Sequence, residues 1–550
     1  MDVAQVAAAG LGPSAHVDTF CRDSLPPPEQ WPDLLFDLPE LHYPQQLNCA
    51  EVLLRDTIAE HGPDRRCLLW PGGRWTYGQL RDTADAISHV LVTELDLVPG
   101  NRVLLRGPNS PWLVASWFGV LAAGGVVVAT MPALRPGELR SIGDSTRPGV
   151  ALCDARSADD LVAAGIPGLR MVRYGGQGED DLVARTARHR TPFAPVATAA
   201  DDVALLAVTS GTTGVPKTTA HFHRDVLAIA DTFSRHVLKP TADDLFLGSP
   251  PLAFTYGLGG EVVFPVRAGA ASLLIERPTP DVLADLVAEH GVTVLFTAPT
   301  AYRAMLARGK AAALGRLRRC VSAGEPLPRA VSDAFHEATG LQIIDGIGAT
   351  EMLHIFISAA DDDLRPGSTG RPVPGYEAAV LDAAGQPVPD GEPGRLAVRG
   401  PTGCRYLADP RQQDYVQHGW NLTGDTYRRD ADGYFWYVAR SDDMIISAGY
   451  NIAGPEVENA LLKDPDVAEC GVVAKPDPDR GHVVAAYVVL RPGVTGDAAK
   501  AAELQELVKR EIAPYKCPRV VEFLPELPHT QTGKLQRFKL REHARQTAGA

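Results

Sequence analysis

Two hydrophobic periods run through this chain. Over residues 50–59 the apolar positions recur at helical spacing, which predicts an amphipathic helix. Residues 103–105, 203–208 (VALLAV) and 292–296 (VTVLF) are short apolar runs rich in β-branched side chains, the pattern of buried strands. Such patterns alternate from about residue 50 onward, so an α/β protein with largely parallel sheets is predicted. Residues 1–45 differ. Proline and aromatic side chains crowd LPPPEQWPDLLFDLPELHYP, which is expected to wrap a surface without an element of its own. There is no internal repeat and no low-complexity tract.

Residues 107–134 carry no charge and are long enough to span a bilayer. The glycine pair Gly124-Gly125 and the β-branched run after it favour another reading: a buried helix over 112–123, a turn, then a buried strand over 126–130. Near residue 440 the pattern changes. Residues 430–438 (DADGYFWYV) predict a hairpin turning at Asp432-Gly433. A shorter α/β stretch follows, so domains of 1–440 and 441–550 are expected.

Composition narrows the function. With 550 residues, 45% hydrophobic and 22% charged, the chain is globular and too long for one core. A net charge of -14 disfavours general nucleic-acid binding, but a local positive site can still hold an anionic nucleotide. The eight cysteines (Cys21, Cys49, Cys67, Cys153, Cys320, Cys404, Cys470 and Cys517) include no CxxC pair. They predict reduced, mostly buried thiols, and their spacing gives no support for zinc. The first residues lack a basic start followed by an apolar core, so no signal peptide is expected and a cytoplasmic location follows.

The strand over 203–208 runs into Thr209-Ser210-Gly211-Thr212-Thr213-Gly214-Val215-Pro216-Lys217. Its glycines let backbone approach a ligand, its four hydroxyls can surround phosphate oxygens, and Lys217 adds positive charge. It is not a Walker loop, because Pro216 precedes the lysine. A polar surface turn is the competing reading.

This loop resembles the phosphate loop of the adenylate-forming enzymes, which include acyl-CoA ligases, luciferases and peptide-synthetase adenylation domains. Further stretches follow in that family's order. Gly324-Glu325-Pro326 within SAGEPL resembles its adenine-side loop. Asp345-Gly346-Ile347-Gly348-Ala349-Thr350-Glu351 resembles its YGxTE motif, with Asp345 in the tyrosine's place. Asn421-Leu422-Thr423-Gly424-Asp425 resembles the ribose motif, Arg440-Ser441-Asp442 the hinge, and Gly533-Lys534 the catalytic lysine motif.

The resemblance implies a large domain of mixed sheets, a small mobile C-terminal domain, and ATP, Mg²⁺ and coenzyme A as cofactors. Adenylation joins two anions, a carboxylate and the α-phosphate, so the site must neutralise charge. By resemblance Glu351 holds Mg²⁺, Thr350 bonds the α-phosphate, and Asp425 accepts the ribose hydroxyls. Arg440 reaches the ribose or phosphates. Lys534 bridges carboxylate and α-phosphate. Asp442 is the pivot that withdraws Lys534 and brings Gly449 toward the pantetheine tunnel. Without the family, Glu351 reads as an exposed helix cap, Asp425 as a turn aspartate, and Arg440 and Lys534 as surface charges.

The family's acid pocket follows Pro250-Pro251 and the Thr-Glu pair. Here these stretches contain Ala253, Phe254, Thr255, Tyr256 and Gly257, and then His354 and Ile355, with Gly348 beside them. They resemble the benzoate-CoA ligase branch, most closely its 2-aminobenzoate-type members. Tyr256 can stack on a ring, Ile355 can pack it, and Gly324 leaves room for a flat group. Thr255 stands where that branch tends to carry a small apolar residue. It either reads an ortho substituent or bonds only to local backbone. His354 either orients the acid or lines the site as a satisfied buried histidine. His221 and His223 form an HxH pair without further ligands and read as structural. The expected reaction is ATP-dependent activation of an aromatic acid, 2-aminobenzoate or a related benzoate, then thioester formation with CoA. The alternative acceptor is a carrier-protein thiol, although no carrier serine motif follows Lys534. The expected protein is a monomer or homodimer.

Overall fold

The computed structural model describes residues 11–209, 216–440, 443–447, 450–477, 481–512, 514–529 and 535–547. Two large sheets dominate. In the first, strands lie in the order Arg170–Tyr174, Val150–Asp154, Arg102–Arg106, Val126–Thr130, Val203–Thr209 and Lys217–Phe222. All neighbours are parallel except the last pair. The second has nine strands. Its parallel centre runs Ile343–Gly348, Arg319–Ala323, Val294–Thr297, Leu245–Gly248, Ala271–Leu273 and Arg66–Trp70, with antiparallel strands at both edges. One continuous apolar core joins these sheets through the helices Tyr77–His89, Pro111–Ala122 and His223–Ile229.

The uncharged stretch folds as its glycines predict. Ser110 caps the helix Pro111–Ala122 by accepting from Leu113 N–H, and Pro111 occupies its first turn. Gly124 turns the chain at φ +74° into the fully parallel strand Val126–Thr130. Among the described residues no helix is long and apolar enough to cross a membrane.

A third sheet is antiparallel. It pairs Glu377–Leu381, Gly394–Arg399, Trp420–Arg429 and Phe435–Arg440, with the short Val416–Gln417 on the other side of Trp420–Arg429. Its last two long strands form the expected hairpin, and Gly433 supplies the positive φ of the turn. The small C-terminal domain has a separate core around Val457, Leu461, Val472, Val484 and Leu504. It is built on the strands Val467–Asp477, Gly481–Leu490 and Val520–Phe523.

The N-terminal segment corrects one expectation. It does wrap a surface, but it contains single helical turns at Phe20–Asp23, Pro28–Gln30 and Pro39–Leu41. Proline opens two of them, because its fixed φ suits a first helical position. Seven of the eight cysteines are buried and all eight are free thiols.

Candidate functional site

The C-terminal ends of the nine-stranded sheet set out the site. Parallel register places Thr297, Ser322 and Asp345 in one row across three strands. Ser249 hydroxyl bonds that of Thr297 at 2.6 Å. Ser322 Oγ and Asp345 Oδ1 are buried side by side. Burial pushes the Asp345 carboxyl up to about 7. Gly324, Glu325 and Pro326 form the bend just beyond Ser322, with Gly324 at φ +88°.

Beside this row lies an aromatic cluster. Tyr256 begins the short helix Thr255–Leu258 with Thr255, and its hydroxyl donates to Thr297 O (3.2 Å) and Val321 O (3.3 Å). Its ring lies 5.6 Å from Phe296 and 5.7 Å from His354. Phe264 meets His354 edge-on at 4.6 Å. His354 is 3% exposed, and neither ring nitrogen has a partner among the described residues. Burial pushes its ring down to about 3, so it is neutral at physiological pH. The Thr255 hydroxyl likewise makes no hydrogen bond among the described residues.

Ala253 and Phe254 form the half-buried turn before Thr255. Gly257 is obligatory there: a Cβ would stand 2.3 Å from Pro251 O. Ile355 pairs with Gly348 across strands, and its side chain fills the space a Cβ on Gly346 would take.

Thr350 and Glu351 sit in the one-turn helix Thr350–Met352, followed by Leu353 at φ +68°. Positive φ in a buried leucine is strain of the kind that collects at functional sites. His221 Nε2 donates to Thr350 O at 2.8 Å, and His223 Nδ1 lies 3.1 Å from Cys49 Sγ. Both histidines are fully buried. Glu351 is 9% exposed and accepts a hydrogen bond from the Tyr406 hydroxyl. Thr209 ends its strand opposite Lys217, whose ammonium lies 3.3 Å from the same hydroxyl. Asp425 pairs with Arg440 across the hairpin, and Arg440 Nη1 donates to Asp425 at 3.2 Å. Ser210, Gly211, Thr212, Thr213, Gly214, Asp442, Gly449 and Lys534 lie outside the described residues.

Several contributors escaped the sequence reading. Tyr406 stands in an irregular stretch with no period to mark it. Ile347, four residues before Glu351, occupies the first position of a five-residue YGxTE frame, whereas Asp345 precedes that frame. Asn109 Nδ2 donates to Pro250 O at 3.1 Å, and Asn109 Oδ1 accepts from Leu252 N–H at 2.8 Å, fixing the pocket's entrance. Fully buried Glu261 stands behind Asn109 and is held neutral by burial. A lone acid inside LGGEVVFP was the available signal for it.

The profile of AMP-binding enzymes matches residues 55–406, and that of the AMP-binding enzyme C-terminal domain matches 456–534. The chain is 34% identical over 517 residues to the benzoate–CoA ligase of Thauera aromatica, covering 92% of this chain and 97% of that enzyme. It is 34% identical to the 4-hydroxybenzoate–CoA/benzoate–CoA ligase of Rhodopseudomonas palustris, covering 90% and 94%. Among solved structures, the anthranilate CoA ligase AuaEII in complex with anthranoyl-AMP superposes with a TM-score of 0.88 at 33% identity, covering 93% of this chain and all of that one. A benzoate CoA ligase from Burkholderia xenovorans LB400 gives 0.82 at 33% identity, covering 90% and 100%.

Proposed function

Because the chain belongs to the AMP-binding enzyme family, we propose that its aromatic pocket selects a benzoate-type acid, with 2-aminobenzoate or a near ortho-substituted analogue preferred. The acid is activated with ATP to an aryl-adenylate and then transferred to coenzyme A. The observation that carries the choice of acid is the neutral, unpartnered His354 among Tyr256, Phe264 and Phe296, next to an unpartnered Thr255 hydroxyl. Aromatic faces suit a flat ring beside them, and a half-buried hydroxyl favours a substituent that can pair with it.

In the first half-reaction the acid's carboxylate oxygen attacks the α-phosphorus of ATP, and pyrophosphate leaves. Thr350 bonds the α-phosphate. Lys217 and the glycine-rich loop face the phosphates released as pyrophosphate. Lys534 bridges the two reacting anions. Asp425, oriented by Arg440, accepts the ribose hydroxyls. The buried Ser322–Asp345 row and Gly324-Glu325-Pro326 meet the adenine side, where polar groups suit a heteroaromatic amine. One carboxylate, Glu351, is available at the phosphate end. That suits Mg²⁺, which takes one or two protein carboxylates and completes its shell with phosphates and water. When bound there, Mg²⁺ neutralises charge on the departing phosphates.

The second half-reaction needs the thiol to reach the adenylate carbonyl. The C-terminal domain, divided from the rest after residue 440, pivots at Asp442. The pivot withdraws Lys534 and brings Gly449 to the tunnel wall. The thiolate sulfur attacks the carbonyl carbon, and AMP leaves with the mixed-anhydride oxygen.

The test is a pyrophosphate-release screen over benzoate, 2-aminobenzoate, 2-hydroxybenzoate and aliphatic acids, with thioester formation read separately for free CoA and a phosphopantetheinyl carrier protein. Preference for an aliphatic acid would sink the choice of acid, and thioester on the carrier alone would sink CoA as acceptor. Lys534→Ala should slow adenylation by about 10²–10³ and spare thioester formation from supplied aryl-adenylate. An unchanged adenylation rate removes Lys534 from the mechanism.

A further inference from the structure

Tyr406 is fully buried and closely fixed. Its N–H donates to Gln412 Oε1 at 2.8 Å, and Gln412 Nε2 donates to Gln30 O at 2.8 Å and Cys404 O at 3.1 Å. The Tyr415 ring packs against it edge-on at 5.7 Å. From this fixed position one hydroxyl touches two charged groups. It donates to the Glu351 carboxylate, and it lies within reach of Lys217 Nζ at 3.3 Å. The ammonium also sits 4.9 Å from the Tyr406 ring centroid.

A carboxylate and an ammonium that share one partner, the carboxylate largely buried, attract each other. Left alone they would close into a contact ion pair, and both would then have to be pulled apart before either could meet a ligand. A hydroxyl between them donates to one and accepts from the other, so both are satisfied while remaining separate. We propose that Tyr406 is a positioning residue for the metal–nucleotide end of the site: its hydroxyl presets Glu351 for magnesium and Lys217 for the phosphates by keeping the two from pairing directly. This rests on the roles given above to Glu351 and Lys217.

Tyr406→Phe removes the hydroxyl and keeps the ring. Mg·ATP binding to the full-length protein, titrated calorimetrically with no acid present, should weaken about tenfold. ATP in EDTA should weaken less than threefold, and thioester formation from supplied aryl-adenylate should stay within twofold. Unchanged Mg·ATP affinity overturns the proposal, as does an equal loss in both half-reactions with a lowered melting temperature. Glu351→Gln in the same titration separates the two readings. If it leaves the magnesium dependence unaltered, the role of Glu351 fails and the proposal with it. If it weakens Mg·ATP while Tyr406→Phe does not, Tyr406 alone loses its role. Should the phenylalanine variant not fold, 3-fluorotyrosine at position 406 supplies a near-isosteric probe. Its fluorine resonance should move on adding Mg·ATP, and a resonance that stays fixed overturns the proposal.

Discussion

His354 offers the acid pocket a neutral ring, with one N–H and one lone pair, because burial holds its pKa near about 3. Selectivity among benzoates must then come from hydrogen bonding and shape rather than from a charge opposite the ring. In the proposed function Thr255 reads the substituent: its hydroxyl would accept from an ortho amino group or donate to an ortho hydroxyl. An unsubstituted ring leaves that hydroxyl unpaired at a cost of about 1–3 kcal/mol. Thr255→Ala should therefore reduce the preference for 2-aminobenzoate over benzoate, mostly by lowering kcat/KM for the substituted acid. Steady-state kinetics with both acids decide it, and equal ratios in the two proteins would leave Thr255 without a part in selectivity. The sequence made this residue visible through its resemblance to one enzyme branch. Polar spacing alone did not mark it.

At the scale of elements, long periodic segments were legible and single turns were not. The uncharged run over 107–134 declared its helix, turn and strand through a glycine pair and β-branched residues. The Thr350–Met352 turn could not be read in this way, because three residues carry no period and Leu353 reaches positive φ only under tertiary constraint. The hairpin of Trp420–Arg429 and Phe435–Arg440 was legible from Asp432-Gly433, and its register gives it function. It sets Asp425 opposite Arg440, two residues before Asp442. In the proposed mechanism, a rotation at Asp442 would begin just after the strand whose Arg440 faces Asp425. Asp442→Pro restricts backbone rotation at that point. Single-turnover pyrophosphate formation should persist while aryl-CoA formation collapses, measured by rapid quench. Equal loss of both would remove Asp442 as the pivot.

Across the whole molecule, the pairings that hold distant parts together were the least legible, since nothing in a sequence joins positions 180 apart. Arg405 Nη1 donates to Asp225 at 2.8 Å with both side chains fully buried. The same guanidinium lies 4.0 Å from the Phe222 ring centroid and 5.1 Å from that of Trp31. It thereby ties the six-stranded sheet, the stretch that carries Tyr406, and the N-terminal segment. Burial alone would raise the Asp225 carboxyl, but Arg405, with His221 and Arg224 beside it, holds it at about 2. Asp225→Asn should cost about 3–5 kcal/mol, because Arg405 remains buried without its counter-ion. Urea unfolding at neutral pH measures this. The depressed carboxylate contributes fully above its unfolded value of 3.8 and is lost as pH falls through about 2. The difference between the two proteins should therefore hold constant from pH 8 to 5 and shrink only below pH 4.

The N-terminal wrap has a consequence in time. Its bonds skip most of the chain: Asp33 meets Arg399 across 366 positions, and Gln30 meets Gln412 across 382. At ribosomal speeds of about 5–20 residues per second, those partners emerge roughly 20–75 s after the wrap itself. Throughout that interval the proline-rich strip has no surface to lie on, while the sheets beneath it assemble. It is made before the surface it covers and is among the last segments to find its place.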